Sequence, residues 1–211
     1  LELSAKYYND FKSININHLS FNTNSDLNVE KMHFNAVLNE RDTVTDLWNF
    51  ELLTNRSDIK IYRIYAERFN PFYEFSYEEL GNKNVEISLD IQKFDFKDLR
   101  FFLPELSILD TIVGVKIDAA GKYGDLNAEN ITLTLPNSRI ALKGKIANLQ
   151  RPDSLYMDVY GNNIIINAAD IKQAYKGELP DFSGVGNVRA DIKYKGTYSK
   201  FQTEFYINTD A

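Results

Sequence analysis

Hydrophobic and polar residues alternate with a period of two along most of the chain, which is typical of β-strands with one apolar and one polar face. In residues 85–92 the apolar Val85, Ile87, Leu89 and Ile91 alternate with polar side chains. Comparable runs begin at Met32, Trp48, Tyr62, Val113, Ile131, Ile140, Leu155, Val188 and Phe201. Turn residues separate the runs at short intervals, so the pattern predicts an all-β antiparallel meander.

The alternation lapses at two places, and each predicts a short helix. Around Asp98–Leu103 a turn or two of helix would be stopped by Pro104. Residues Ala168–Tyr175 are rich in good helix formers and are followed by Gly177. The strand that begins at Leu155 is predicted to stop at Gly161-Asn162-Asn163, and Trp48, Phe50 and Leu52 are expected to share one strand face.

The segments that follow these two helices resemble each other. The first runs through Leu103-Pro104 to the strand Val113–Gly121, and the second through Leu179-Pro180 to the strand Val188–Gly196. From valine to glycine both strands span the same distance, 121 − 113 = 196 − 188 = 8, and the next apolar residue follows five positions later at Leu126 and Phe201. Two copies of helix, loop, strand, turn and strand predict a repetitive array in which each unit packs against its neighbours.

The repeat resembles the periplasmic repeats of TamB and related AsmA-like proteins of diderm bacteria. The first copy carries the resemblance on Asp98-Leu99, Leu103-Pro104-Glu105-Leu106, Gly114, Asp118, Gly121, Asp125-Leu126, Ile131, Leu133, Ser138, Leu142, Gly144, Ile146 and Asn148-Leu149. The second copy carries it on Asp170-Ile171, Leu179-Pro180, Gly184, Gly186 and Lys195-Gly196. The abundance of Asn, Lys, Tyr and Ile is similar to Bacteroidetes-type versions.

The resemblance implies a sheet curled into a taco-shaped groove with two short helices, in a periplasmic protein anchored in the inner membrane. It implies that the groove carries phospholipids between the inner and outer membranes, or supports assembly of outer-membrane proteins with a TamA-like barrel partner. Such a groove binds acyl chains without cofactors or catalytic residues, so we expect no enzyme.

The resemblance divides the chain into three expected segments. Residues 85–160 would be a first repeat and residues 161–211 a second, truncated one. Residues 1–84 would be an N-terminal β segment of the same groove, matched only by strand character and without a recognisable repeat unit. Because the chain opens at Leu1 and stops after a strand-like run, we expect a fragment whose membrane anchor lies elsewhere.

The alternating apolar positions from residue 85 onward are the predicted lipid-contacting lining. A continuous dry surface binds acyl chains because each methylene group removed from water contributes about 0.8 kcal/mol. The same residues could instead pack against one another in an ordinary closed core. The predicted lining comprises Val85, Ile87, Leu89, Ile91, Val113, Val115, Ile117, Ile131, Leu133, Leu142, Ile146, Leu155, Met157, Val159, Val188, Ile192, Phe201, Phe205 and Ile207.

Composition narrows the remaining functions. The 211 residues carry 24 basic and 30 acidic side chains, a net charge of −6, which disfavours binding to nucleic acid phosphates. The absence of cysteine excludes disulfides, thiolate catalysis and cysteine-based zinc sites, and only His18 and His33 are present. Carboxylates such as Glu86 and Asp90 share one strand face, which is typical of a solvated outer face, so no metal or catalytic site is predicted.

Two alternatives remain open from the sequence. The acidic surface and the aromatic cluster Tyr62, Tyr65, Phe69, Phe72, Tyr73, Phe75 and Tyr77 also fit an extracellular β-sandwich that binds a glycan or a protein. Within the resembled family, an exposed strand edge could template incoming outer-membrane strands by β-augmentation.

Overall fold

In a computed structural model, the chain forms one antiparallel sheet of 12 strands. The structure describes residues 2–8, 11–22, 27–39, 44–67, 69, 77–101, 112–174 and 186–209. The strands are β1 (Glu2–Tyr8), β2 (Phe11–Asn22), β3 (Asn28–Asn39), β4 (Val44–Thr54), β5 (Asp58–Glu67), β6 (Asn84–Asp95), β7 (Ile112–Lys122), β8 (Asp125–Thr134), β9 (Arg139–Ala147), β10 (Tyr156–Asn167), β11 (Asn187–Thr197) and β12 (Phe201–Thr209).

The strand order in the sheet is the order in the chain, from β1 to β12, and every pairing is antiparallel. The predicted all-β meander is therefore confirmed. The curl is not part of the observed fold, because the described strands form an open, uncurled sheet. The predicted boundaries at residues 84/85 and 160/161 stay predictions, since the sheet runs continuously through both.

The two predicted helices are found in roughly the predicted places. A 3₁₀ helix, η1 (Phe96–Phe101), follows β6, and α2 (Ala168–Ala174) follows β10. The described residues also form a short α1 (Tyr77–Leu80) and a single 3₁₀ turn at Pro152–Ser154. The helical segments are short connections at the ends of strands, so the strands alone build the sheet.

The predicted end of a strand at Gly161 is wrong, because β10 continues to Asn167 through a bulge. The pairing of β10 with β11 shifts register between Gly161 and Ile164, and Asn163 adopts a positive φ of 53°. A side chain at Gly161 would lie 2.3 Å from the carbonyl oxygen of Ala141, so the residue is glycine because the neighbouring strand comes too close for a Cβ.

The hairpins β7–β8 and β11–β12 match at their turns, as the repeat predicted, although β7–β8 has a register shift between Asp118 and Ala119 and β11–β12 has none. Gly121 pairs with Leu126 and Gly196 pairs with Phe201. Both glycines have positive φ values, 135° and 138°, which disfavour any other residue. The parts of the repeat at Leu103-Pro104 and Leu179-Pro180 lie outside the described residues.

A second repeated feature is a buried aspartate that binds a hairpin turn at one margin of the sheet. Asp98 in η1 accepts hydrogen bonds from Thr54 Oγ1 (2.6 Å), Ser57 Oγ (2.7 Å) and Arg56 Nε (2.8 Å). We call this group the first clamp. It ties η1 to the β4–β5 turn, about forty residues earlier in the chain.

The second clamp is the equivalent group after β10. Asp170 in α2 accepts hydrogen bonds from the backbone nitrogen of Asn137 (2.9 Å) and from its Nδ2 (3.1 Å). The two turns are closed by the same backbone bond, from Thr54 N to Ser57 O and from Leu135 N to Ser138 O, each 2.9 Å. The two clamps therefore mark equivalent places in two structural repeats.

The serine of each turn also accepts a hydrogen bond from the end of a later strand, β6 in the first group and β10 in the second. Ser57 Oγ accepts a hydrogen bond from the Asp95 nitrogen (3.1 Å), and Ser138 Oγ accepts one from the Asn167 nitrogen (2.9 Å). The β4–β5 turn of residues 1–84 thus takes part in a hydrogen-bond group that recurs later in the chain, while the expected division of the chain at residue 84 stays a prediction. The sequence did not reveal this group because the two turns share only their serine.

Candidate functional site: the apolar face

The predicted lining residues lie on one face of the sheet, which we call the apolar face. Paired residues of neighbouring antiparallel strands point to the same face. One row across the sheet pairs Leu89 with Ile117, Ile117 with Ile131, and Ile131 with Leu142. The other predicted residues in the strands fall on this face by the same pairings, and Leu155 directly precedes β10.

The apolar face extends into the N-terminal strands, which the predicted lining did not include. Ile59, Ile61 and Ile64 of β5 pair with Ile91, Leu89 and Ile87. On their other side, the same three isoleucines pair with Leu52, Phe50 and Leu47 of β4. The apolar face is therefore continuous from β4 through β12.

One of the N-terminal assignments is wrong: Trp48 does not share a face with Phe50. Trp48 pairs with Arg63, which in turn pairs with Ser88 on the opposite face. The register between β3 and β4 shifts nearby, and Asn49 has a positive φ of 50°. A bulge displaces the period-two pattern, which alternation in the sequence alone does not reveal.

Burial on the apolar face is incomplete. Most predicted lining residues are half-buried, and Phe201, Phe205 and Ile207 are exposed. The accessible surface of the chain is 13610 Å², whereas a compact monomer of 24.3 kDa has about 10,000 Å². The excess surface agrees with the single sheet, since the described strands form no second sheet to cover either face.

The chemistry of the apolar face suits a hydrocarbon ligand. From β6 to β10 its strand-paired residues carry no charged side chain. Strands spaced about 4.8 Å apart extend the sheet about 50 Å across its 12 strands, which is longer than one acyl chain. Such a surface binds by displacing water and needs no directional contact.

The opposite face is polar and is covered with cross-strand pairs. Arg63 lies 2.9 Å from both Asp46 and Glu86. The hydrogen bond with Asp46 is the larger cause, and the charge of Glu86 the smaller one, of a raised pKa of Arg63. Lys31 bonds Glu51 at 2.6 Å and thereby lowers the pKa of the Glu51 carboxyl. These contacts satisfy the charges in place, so this face has the character of a solvated surface.

The carboxylates considered as a possible site take part in such structural contacts. Glu86 bonds Arg63, Ser88 Oγ donates to Asp118 (2.7 Å), and Asp90 accepts from Gln92 (2.8 Å). Within the described ranges no three His, Asp or Glu side chains are placed to hold a metal ion.

The aromatic cluster is only partly described. The Arg63 guanidinium lies 4.8 Å from the centre of the Tyr65 ring, and the Phe69 carbonyl accepts a hydrogen bond from Thr45 Oγ1. Residues Phe72, Tyr73 and Phe75 lie outside the described residues.

Among the described residues, no helix is long and apolar enough to span a membrane. Comparison with protein-family models, curated proteins and solved structures found no match to this chain. The class of protein is given by the fold and the apolar face alone: it is an all-β meander with one apolar face.

Proposed function

We propose that the apolar face carries phospholipid acyl chains, in a chain that is a segment of a TamB/AsmA-like periplasmic protein. In this proposal the parent protein is anchored in the inner membrane and works with a TamA-like barrel in the outer membrane. The sheet would curl around its cargo to form a groove, and the chain would also serve outer-membrane protein assembly.

The observation that carries the proposal is the continuous apolar face, with no second sheet among the described strands. A soluble protein rarely leaves so large an apolar surface exposed unless a partner or ligand covers it. Acyl chains match it because each buried methylene group contributes about 0.8 kcal/mol without a specific polar partner. The polar face, by contrast, has its charges paired across strands.

The β-sandwich alternative requires two sheets packed face to face. The described strands form one sheet instead, so the fold does not support that alternative. An open sheet offers lipid the face that a sandwich would bury.

The test replaces one cross-strand row on each face with threonine, which retains strand propensity. The apolar-face variant combines Ile117→Thr, Ile131→Thr and Leu142→Thr. The control combines Lys116→Thr and Ala141→Thr, which with Thr132 completes the neighbouring row on the polar face. We expect phospholipid to co-purify with the unchanged protein and the control, and to be lost from the apolar-face variant, by native mass spectrometry.

Circular dichroism would establish that both variants keep their strands. If the unchanged protein carries no phospholipid and takes up none from vesicles, the proposal is wrong. Equal lipid content in both variants would also contradict it, because binding would then not depend on the apolar face.

A further inference from the structure

Bulges in the described strands all have the same orientation. The register shifts between neighbouring strands place one extra residue in each of β2, β3, β4, β5, β6, β8 and β10. Around each extra residue, two inner residues separate two outer residues of the apolar face, where regular alternation allows only one. The bulged segments are Ile16–Leu19, Val29–Met32, Leu47–Phe50, Ile61–Ile64, Ile91–Phe94, Ala128–Ile131 and Gly161–Ile164.

The exposure of the side chains agrees with this orientation. In every bulged segment at least one inner residue is exposed, as Asn49, Tyr62 and Glu129 are, whereas no outer residue is exposed. The inner residue Asn130 also pairs with Asp118, which lies on the polar face. The extra residue of each bulge is therefore accommodated on the polar side of the sheet.

An extra residue on one side of a strand lengthens that side and bends the strand away from it. Because the added length is always on the polar side, each bulge favours a convex polar face and a concave apolar face. Bulges of mixed orientation would cancel one another, but these add together. Two of them are also favoured locally, since Asn49 and Asn163 have positive φ values of 50° and 53°, which asparagine tolerates better than most residues.

The bulges lie close to one row of residues that crosses the strands, which we call the central row. In this row Phe50 pairs with Ile61, Ile61 with Leu89, Leu89 with Ile117, and Ile117 with Ile131. Phe50, Ile61 and Ile131 are themselves outer residues of bulges. A bend along the central row would bring the two margins of the sheet towards each other over the apolar face, and would leave a trough perpendicular to the strands.

We infer that the sheet bends along the central row when it binds phospholipid, and that the acyl chain lies in the bend, across the strands. The observed sheet is open, and a chain on an open sheet contacts apolar residues on one side only. In the bent sheet both halves of each strand contact the chain, so the ligand binds the bent form better and shifts the equilibrium towards it. This inference rests on the proposed function and specifies where its ligand lies.

The test measures the distance between two spin labels at opposite margins by pulsed electron paramagnetic resonance. The chain has no cysteine, so Pro136→Cys and Asp153→Cys provide unique labelling sites in the exposed turns on either side of β9. Phosphatidylcholine vesicles supply the lipid and are removed by centrifugation before the measurement. We expect loading to shorten the distance by about 5 Å, the change that a bend of about 60° makes in a strand of about 36 Å.

Variants of the neighbouring strands test the bulges themselves. Deletion of Glu129 and Asn163 removes the extra residue from β8 and β10, and should abolish the shortening at equal amounts of bound lipid. The control, Glu129→Ala with Asn162→Ala, keeps both bulges and should shorten like the unchanged protein. Circular dichroism establishes that the strands are kept. If the double deletion unfolds, deletion of Glu129 alone should still reduce the shortening.

Bound phospholipid without any change in distance would overturn the inference and leave the proposed function standing. Equal shortening in the deletion variant and the control would also overturn it, because the bend would then not depend on the bulges. If the unchanged protein binds no phospholipid, the proposed function is wrong and the inference fails with it.

Discussion

The clamped margin of the sheet and its apolar face differ in which kind of side chain is buried. At the margin, polar groups are buried and satisfied: Asp98 is 7% exposed and receives three side-chain hydrogen bonds. On the apolar face, hydrophobic groups such as Phe205 are left exposed. The comparison teaches that the sheet is held together along its strands and turns, and that the apolar face is free to interact with something else.

This division predicts that changes at the margin alter stability and that changes on the apolar face alter binding. The two clamps sharpen the comparison further, because the first contains a charged donor, Arg56, and the second is built from the amide groups of Asn137.

The largest expected effect is at the first clamp. Asp98→Ala removes the carboxylate that accepts hydrogen bonds from Arg56 and from two hydroxyl groups, which should lower the free energy of unfolding by about 3–5 kcal/mol. Asp170→Ala removes only hydrogen bonds from uncharged donors and should cost about 1–3 kcal/mol. Urea denaturation followed by circular dichroism measures both, and equal losses would contradict the distinction between the clamps.

An apolar-face change should have a smaller effect on stability and a larger one on binding. Ile117→Thr replaces a half-buried side chain and should cost about 1–2 kcal/mol, less than Asp98→Ala. It should nevertheless reduce bound phospholipid, whereas folded Asp98→Ala protein should keep its lipid. Mass spectrometry of both proteins below their unfolding transitions separates the two effects.

The pH dependence of the first clamp gives a third test. Burial raises the pKa of Asp98, but hydrogen bonds from Thr54, Ser57 and Arg56 outweigh it, so the pKa is lowered overall. A carboxyl group whose pKa is lowered by folding stabilises the folded state at pH values above its unfolded-state pKa, about 3.9. This contribution is lost as the pH falls through the pKa of the folded state. The stability difference between the protein and Asp98→Asn should therefore be full at neutral pH and shrink below about pH 4, in urea denaturation at each pH.

The smallest effect is expected on the polar face. Lys195 lies 2.9 Å from Asp158, which raises the pKa of Lys195, but both side chains are exposed. Water and salt screen such a pair, so Lys195→Ala should leave the urea midpoint nearly unchanged. A shift comparable to that of Asp170→Ala would show that the polar face contributes more to stability than its exposure suggests.

The sequence predicted the strands and the apolar face well where alternation is uninterrupted, as from Val85 to Ile91. The prediction failed where a bulge displaces the pattern, at Trp48 and at Gly161, because the extra residue of a bulge cannot be recognised from the order of hydrophobic and polar residues. The clamps were not foreseen, since Asp98 and its partners at the β4–β5 turn are about forty residues apart. The missing curl depends on how strands pack in space, which alternation does not encode.

The most direct test of the account places a photo-crosslinking amino acid at neighbouring positions that point to opposite faces. Ile117 and Ile192 lie on the apolar face, and Lys116 and Lys193 are their neighbours on the polar face. We predict that phospholipid is labelled from positions 117 and 192 and not from 116 and 193. Equal labelling from both faces, or none from positions 117 and 192, would contradict the claim that acyl chains occupy the apolar face.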